Sequence, residues 1–208
     1  MPDDELPGGV PANEAPIPHR KLQDARELRA MAHPLRVRIL DLLFVDGPLT
    51  ATDLSERLGE SPANCSWHLR QLAKYGYVEE TGGGTGRQRP WRPVLESRSW
   101  GGAVDEGELA AAGTALSEMM FRREIDERRA YQARFGSEPA EWQDAAFSSQ
   151  SLAWLTVEEL TALSGEIYRL FVRHIDRITD PAKRPEGARP VRLVGWASPA
   201  RSWQQDES

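Results

Sequence analysis

The sequence predicts a mainly α-helical chain with one small β-hairpin: a winged helix-turn-helix domain followed by a helical dimerisation region. Three observations predict it. Apolar residues recur at helical spacing, as in Leu35, Ile39, Leu42 and Leu43, and again in Leu160, Leu163, Ile167 and Leu170. Capping and breaking residues cut the first half into short helices, with only Gly59-Glu60 between two of them. After Tyr77 the helical period gives way to two short extended runs around GGGTG, five residues of which four are glycine.

Residues 1–20, acidic and proline-rich, have little to bury and are expected to form a disordered tail. A first helix over 22–32 should stop at His33-Pro34, because proline disfavours helix in the residue before it. Pro34 suits the first position of a second helix, 34–45, which Gly47-Pro48 ends. Thr50 and Asp53 then form a capping-box variant, and Leu49 with Leu54 a hydrophobic staple. Gly59 suits a left-handed stop, Ser61 caps the next helix, and Pro62 takes its first position. Strands are expected at 77–81 and 87–94. Pro90 and Pro93 would each remove a ladder donor, which predicts an edge for the second strand. Together 21–97 make one domain. A linker (98–107) leads to 108–200, with long helices at 108–135 and 156–179 and a candidate strand at 191–197. Residues 201–208 read as a frayed tail.

On the helix 61–75, a turn of about 100° per residue puts Cys65, Leu69 and Leu72 on one side with His68 at the edge. Ala63, Asn64, Trp67, Arg70, Gln71 and Lys74 fall opposite; with Ser61 and Ser66 they make the candidate DNA-reading set. Asn and Gln can pair with adenine and Arg with guanine, while Lys suits phosphate. Trp67 either contacts thymine methyls or sugars, or packs on a neighbouring helix. In the hairpin, Arg87, Gln88 and Arg89 are candidates for backbone or minor-groove contact; the alternative is a solvated loop.

The net charge of −6 is unevenly spread. Residues 1–20 carry one Arg against four acids, and 98–208 carry 14 Arg/Lys against 18 acids, whereas 21–97 carry 11 against 10. The helix-turn-helix segment is thus the part that is not acidic, and local arrangement decides phosphate binding. No apolar run approaches the ~20 residues that span a bilayer, and the N-terminus lacks the order of a secretory signal; a cytoplasmic protein is expected. The single cysteine, Cys65, excludes an internal disulfide and a multi-cysteine zinc site. The four histidines form no ligand spacing such as HxxxH, so no metal and no cofactor are expected. His174 reads as a half-buried histidine on the apolar seam of the last helix. No Gly-x-Ser-x-Gly, phosphate-loop or HExxH pattern is present, and an enzyme is not expected.

LRAMAHPLRVRILDLL (28–43), TATDLSERLG (50–59) and CSWHLRQLAKYGYVEE (65–80), followed by the Gly/Arg hairpin, resemble the ArsR-like winged-helix repressor family over residues 28–92. The resemblance implies a homodimeric regulator on a two-fold-symmetric operator, with its reading helix at Ser61–Tyr75 and its wing at Tyr77–Val94. Metal-sensing members carry cysteines in the first helix of the motif; here the stretch is LTATDL, so a metal-sensing role is not expected. The expected function is a dimeric DNA-binding regulator, a repressor by operator occupancy, with double-stranded DNA as partner. The alternative is a winged-helix module that docks protein. The tryptophans and phenylalanines of 98–208 either line an apolar pocket for a small-molecule effector or pack a small core and the dimer contact. Helix 108–135, with Leu109, Leu116, Met120 and Phe121, is expected to face a partner.

Overall fold

The computed structural model describes residues 16–82, 89–102 and 105–200, together with the backbone of 5–6 and 10–11. The elements in order are β1 (Glu5–Leu6), β2 (Val10–Pro11), β3 (His19–Lys21), α1 (Ala25–Met31), α2 (Pro34–Asp46), α3 (Ala51–Leu58) and α4 (Pro62–Lys74). They are followed by β4 (Val78–Glu80), β5 (Trp91–Pro93), β6 (Ser97–Ser99), α5 (Gly107–Arg134), α6 (Ala140–Ala145), α7 (Val157–Val172) and α8 (Asp176–Thr179).

The helix boundaries in the first half follow local chemistry. Asp24 caps α1, its carboxylate accepting from the Arg26 N–H at 2.7 Å. His33 caps α2 through Nδ1, which accepts from the Leu35 N–H at 3.2 Å, and Pro34 occupies the first helical position. At α3 the capping box is complete: Thr50 Oγ1 accepts from Asp53 N–H (3.2 Å) and Asp53 accepts from Thr50 N–H (2.8 Å). Those bonds to Thr50 hold the Asp53 carboxyl below its usual pKa. Gly59 ends α3 at φ 69°, a left-handed conformation that glycine adopts without steric cost. Ser61 caps α4, accepting from Asn64 N–H at 3.2 Å.

One apolar cluster unites these helices. Ile39 and Leu43 of α2, Leu54 of α3 and Cys65, Leu69 and Leu72 of α4 are buried together with Leu49 and Val78. Burial pushes the Cys65 thiol up, so it packs here as a small apolar group. The wing joins the same cluster. β4 pairs antiparallel with β5, and Leu49 pairs with Trp91 on the other side, through N–H···O bonds of 2.8 and 3.1 Å. The expected edge is therefore corrected: β5 lies between β4 and Leu49, and the Trp91 N–H does the bonding the prolines cannot.

Two further departures concern the ends of the domain. His19 and Arg20, expected in the tail, lie in β3, which pairs in parallel with β6 in the expected linker. Arg20 fixes this pairing, donating to Glu27 (2.5 and 2.9 Å) and to Glu96 (3.2 Å). The first half of α5 packs on α1 of its own chain, burying Leu116 and Ala112 against Leu22 and Leu28. That corrects the expectation for Leu116, which serves the chain's own second cluster rather than a partner, and Leu109 and Met120 pack, partly buried, against the same cluster.

Beyond Leu116, no large apolar side chain among the described residues is buried. Residues 191–197 form no strand; Gly195 lies near Ile167 and Phe171 of α7, and Trp196 stands edge-on to Phe121 of α5 at 5.7 Å. The long helix expected over 156–179 breaks into α7 and α8, and His174 sits exposed in the turn between them. The small-core reading of the aromatics holds within a single chain for Trp100, which packs on the second cluster, but not for Trp154 and Phe147, which are 100% and 76% exposed. Ion pairs tie this half to the domain, Asp41 of α2 accepting from Arg123 of α5 at 2.5 Å and Arg192 lying 3.6 Å from the same carboxylate.

Candidate nucleic-acid interface

α4 is the second helix of the helix-turn-helix, and its two faces separate as its spacing demands. Cys65, His68, Leu69 and Leu72 point into the core. Ser61, Ala63, Trp67, Arg70 and Lys74 are exposed, and Asn64, Ser66 and Gln71 are half-buried along the same outer side. Several of these are already engaged. Asn64 Nδ2 donates to Glu60 at 2.8 Å, and Arg70 donates to Ser66 Oγ at 2.6 Å. Lys74 lies 5.3 Å from the centre of the Tyr75 ring. Arg70 and Lys74 form no ion pair among the described residues, so both cations face solvent one turn apart.

Trp67 is 47% exposed, yet its position is fixed from beneath. Its ring stands edge-on to His68 at 4.7 Å, and the Arg36 guanidinium lies 5.5 Å from its centre. Arg36 in turn donates to His68 Nδ1 (3.3 Å) and to the Ala30 carbonyl (2.5 Å). His33 stacks on His68 at 4.6 Å. Because His68 Nδ1 accepts from Arg36, the imidazole must be neutral. Burial first, then the neighbouring His33 and Arg36, push the His68 pKa down; burial followed by Arg36 does the same for His33. Of the two alternatives for Trp67, packing on the domain is seen on one side of the ring, through His68 and Arg36, while the other side is open to solvent. The pattern of α4 did not reveal the roles of Arg36 and His33, which lie on and before another helix. The spacing in HPLR gave no such signal.

The wing carries its charge differently. Arg87 and Gln88 lie outside the described residues. Arg89 is exposed and pairs with Glu80 at 2.9 Å, while Arg92 pairs with Glu79 at 2.8 Å. These pairs cross the hairpin, joining β4 acids to the bases of the return segment. Gly76, at φ 70°, turns the chain from α4 into β4 and brings the wing alongside the helix. Arg98 anchors that turn, donating to the Gly76 carbonyl at 2.7 Å and lying 4.6 Å over the Tyr77 ring. Among the described residues, no group of three His, Cys, Asp or Glu side chains is gathered as a metal site would need. No described helix is long and apolar enough to cross a membrane.

Residues 31–81 match the family model described as a helix-turn-helix domain. A search of curated proteins finds no match. Among solved structures, reduced HlyU from Vibrio cholerae is 24% identical, with 45% of this chain and 84% of that chain covered and a TM-score of 0.29. A homodimeric winged helix-turn-helix DNA-binding domain from Mycobacterium bovis, described as a possible ArsR-family transcriptional regulator, is 22% identical, covering 50% and 77%, with a TM-score of 0.32. The MepR–DNA complex from S. aureus is 14% identical, covering 54% and 85%, with a TM-score of 0.29. By its own geometry and by this match, the chain carries a helix-turn-helix domain at residues 31–81, which the hairpin completes as a winged helix-turn-helix.

Proposed function

We propose that this chain is a sequence-specific DNA-binding transcriptional regulator of the ArsR-like type. It would act as a homodimeric repressor by occupying its operator. The observation that carries the reading is the outer face of α4, where Trp67, Arg70 and Lys74 are exposed on the second helix of the motif. A helix so placed lies in the major groove, with Gln71 and Asn64 suited to adenine, Arg70 to guanine and Lys74 to phosphate. Arg89, with Arg87 and Gln88, would meet the flanking backbone.

The dimer reading is supported by apolar surface left open in one chain. Phe121 and Ile125 of α5 and Leu170 of α7 are each about half exposed, and Trp154 is wholly so. Patches of this kind on a domain mark partner contacts, and a second copy would also supply the second reading helix. Two half-sites about one turn, roughly 34–36 Å, apart then match two α4 helices. Repression would be relieved when an effector changes the angle between the domain and α5. Glu substitutions at Phe121 and Ile125 should give a monomer by light scattering.

A protein-docking module is the second reading. It is favoured by one observation: Arg89 and Arg92 are both held by acids rather than left for phosphate. Salt separates the two, since phosphate contacts make affinity fall steeply with salt. Genomic footprinting supplies the DNA, and gel shifts with Arg70→Ala then test the contact. Unchanged binding by Arg70→Ala and by Lys74→Ala would remove the DNA reading.

A further inference from the structure

Between the winged domain and α5 lies a cavity of about 200 Å³ whose walls come from both. Met31 of α1 and Phe44 of α2 line it from the domain, Leu116 and Met120 from α5, and Trp100 from the chain just after β6. Among its lining residues Glu96 and Arg98 are the charged ones, and they are largely committed. Glu96 accepts from Arg20 Nε at 3.2 Å, and Arg98 Nη2 donates to the Gly76 carbonyl. Arg98 Nε lies 2.8 Å from Glu96 Oε2, close enough for ion pairing. Its buried N–H is not directed at that oxygen, however, and finds no hydrogen-bond partner among the described residues.

These features define a ligand class. An ion would lose its hydration among apolar walls, and the two charges present already neutralise each other, so an anion or cation is disfavoured. Apolar cavities of about 150 Å³ lined by aliphatic and aromatic side chains take up benzene. A slightly larger one holds a single ring with a short substituent. The Arg98 N–H has no accessible surface, so it offers a ligand in the cavity nothing. We propose that this cavity binds a neutral, apolar mono-aromatic molecule, held between α1, α2 and α5.

Such a ligand touches the reading domain and α5 together, so it fixes the angle between them. That regulatory consequence rests on the reading of the chain as a DNA-binding regulator; the binding does not. Two of the chain's four methionines line the cavity, Met31 and Met120, while Met119 does not, which makes methyl NMR of the full-length chain the direct test. Toluene is the probe. Saturable shifts of the Met31 and Met120 methyls, with intermolecular NOEs to both, are expected.

Met120→Trp fills the space and should abolish the toluene shift at Met31. No saturable shift and no NOE at Met31 and Met120 in the native chain would overturn the proposal, whatever the variant does. A shift at Met31 that persists in a folded Met120→Trp chain would overturn it too. The titration contains no DNA, so its failure leaves the α4 reading standing. A failed gel shift likewise leaves this site standing.

Discussion

Glu79 and Glu80 pair with wing arginines, and if the wing meets DNA as proposed, removing their charge should strengthen binding. Arg92 lies 2.8 Å from Glu79 and Arg89 2.9 Å from Glu80. The side chains of all four are between 42% and 65% exposed, so each pair is largely screened by water. Exposed pairs contribute about 0–1 kcal/mol, and Glu80→Gln should change stability by less than about 0.5 kcal/mol. The effect on DNA is larger, because the same arginine must leave a carboxylate before it meets a phosphate. If Glu80→Gln frees Arg89 for one more phosphate, the slope of log K against log salt should steepen by about 0.9. Over the fourfold range from about 50 to 200 mM salt, that slope makes the gain at low salt roughly 3.5-fold greater than at high salt. Fluorescence anisotropy with a duplex recovered by footprinting reads both quantities. A Glu80→Gln chain that binds no tighter, with an unchanged salt slope, would show that Arg89 does not approach the backbone. Glu79→Gln makes the same test of Arg92.

Trp67→Ala should weaken DNA binding roughly tenfold if the indole meets base edges. Its cost to stability should stay near the ~0.5–1 kcal/mol of an exposed cation–π contact with Arg36. An unchanged affinity would return Trp67 to a packing role. His33 and His68 resist protons that the unfolded chain accepts at about pH 6.5. Stability is therefore full above that pH and is lost as the pH falls below it. Thermal scans between about pH 7.5 and 5.5 should show a falling Tm, and His68→Gln should flatten it; equal slopes in the two chains would refute this. Leu69, wholly buried in α4, should cost about 2–5 kcal/mol as Leu69→Ala in urea unfolding. Lys74→Ala, on the outer face, should stay within about 0.5 kcal/mol.

What could be read locally was read well. The Thr50–Asp53 box, the Gly59 stop and the Ser61-Pro62 start are decided within four residues of backbone, and α3 and α4 begin and end there. The division of α4 into Cys65–Leu69–Leu72 and Trp67–Arg70–Lys74 follows from helical period alone, and burial agrees with it. The wing was visible as a hairpin, but Leu49 as the second neighbour of β5 was not, because that pairing spans 42 residues of chain.

The sequence by itself determined the helix-turn-helix, its wing and the outward set on α4. Periodicity, capping and turn chemistry act over a few residues, and each pointed to the same local structure. Tertiary structure alone decided the rest. It brought Arg36 and His68 beneath Trp67, set Glu79 and Glu80 against the wing arginines, and paired β3 with β6 across the domain. It also turned Leu116 into the chain's own second cluster, beside a cavity that neither the domain nor α5 forms alone. The Arg36 contact, the β3–β6 pairing and the second cluster join residues far apart in sequence, where no local propensity acts, and their energy exists only once the chain has closed the loops between them.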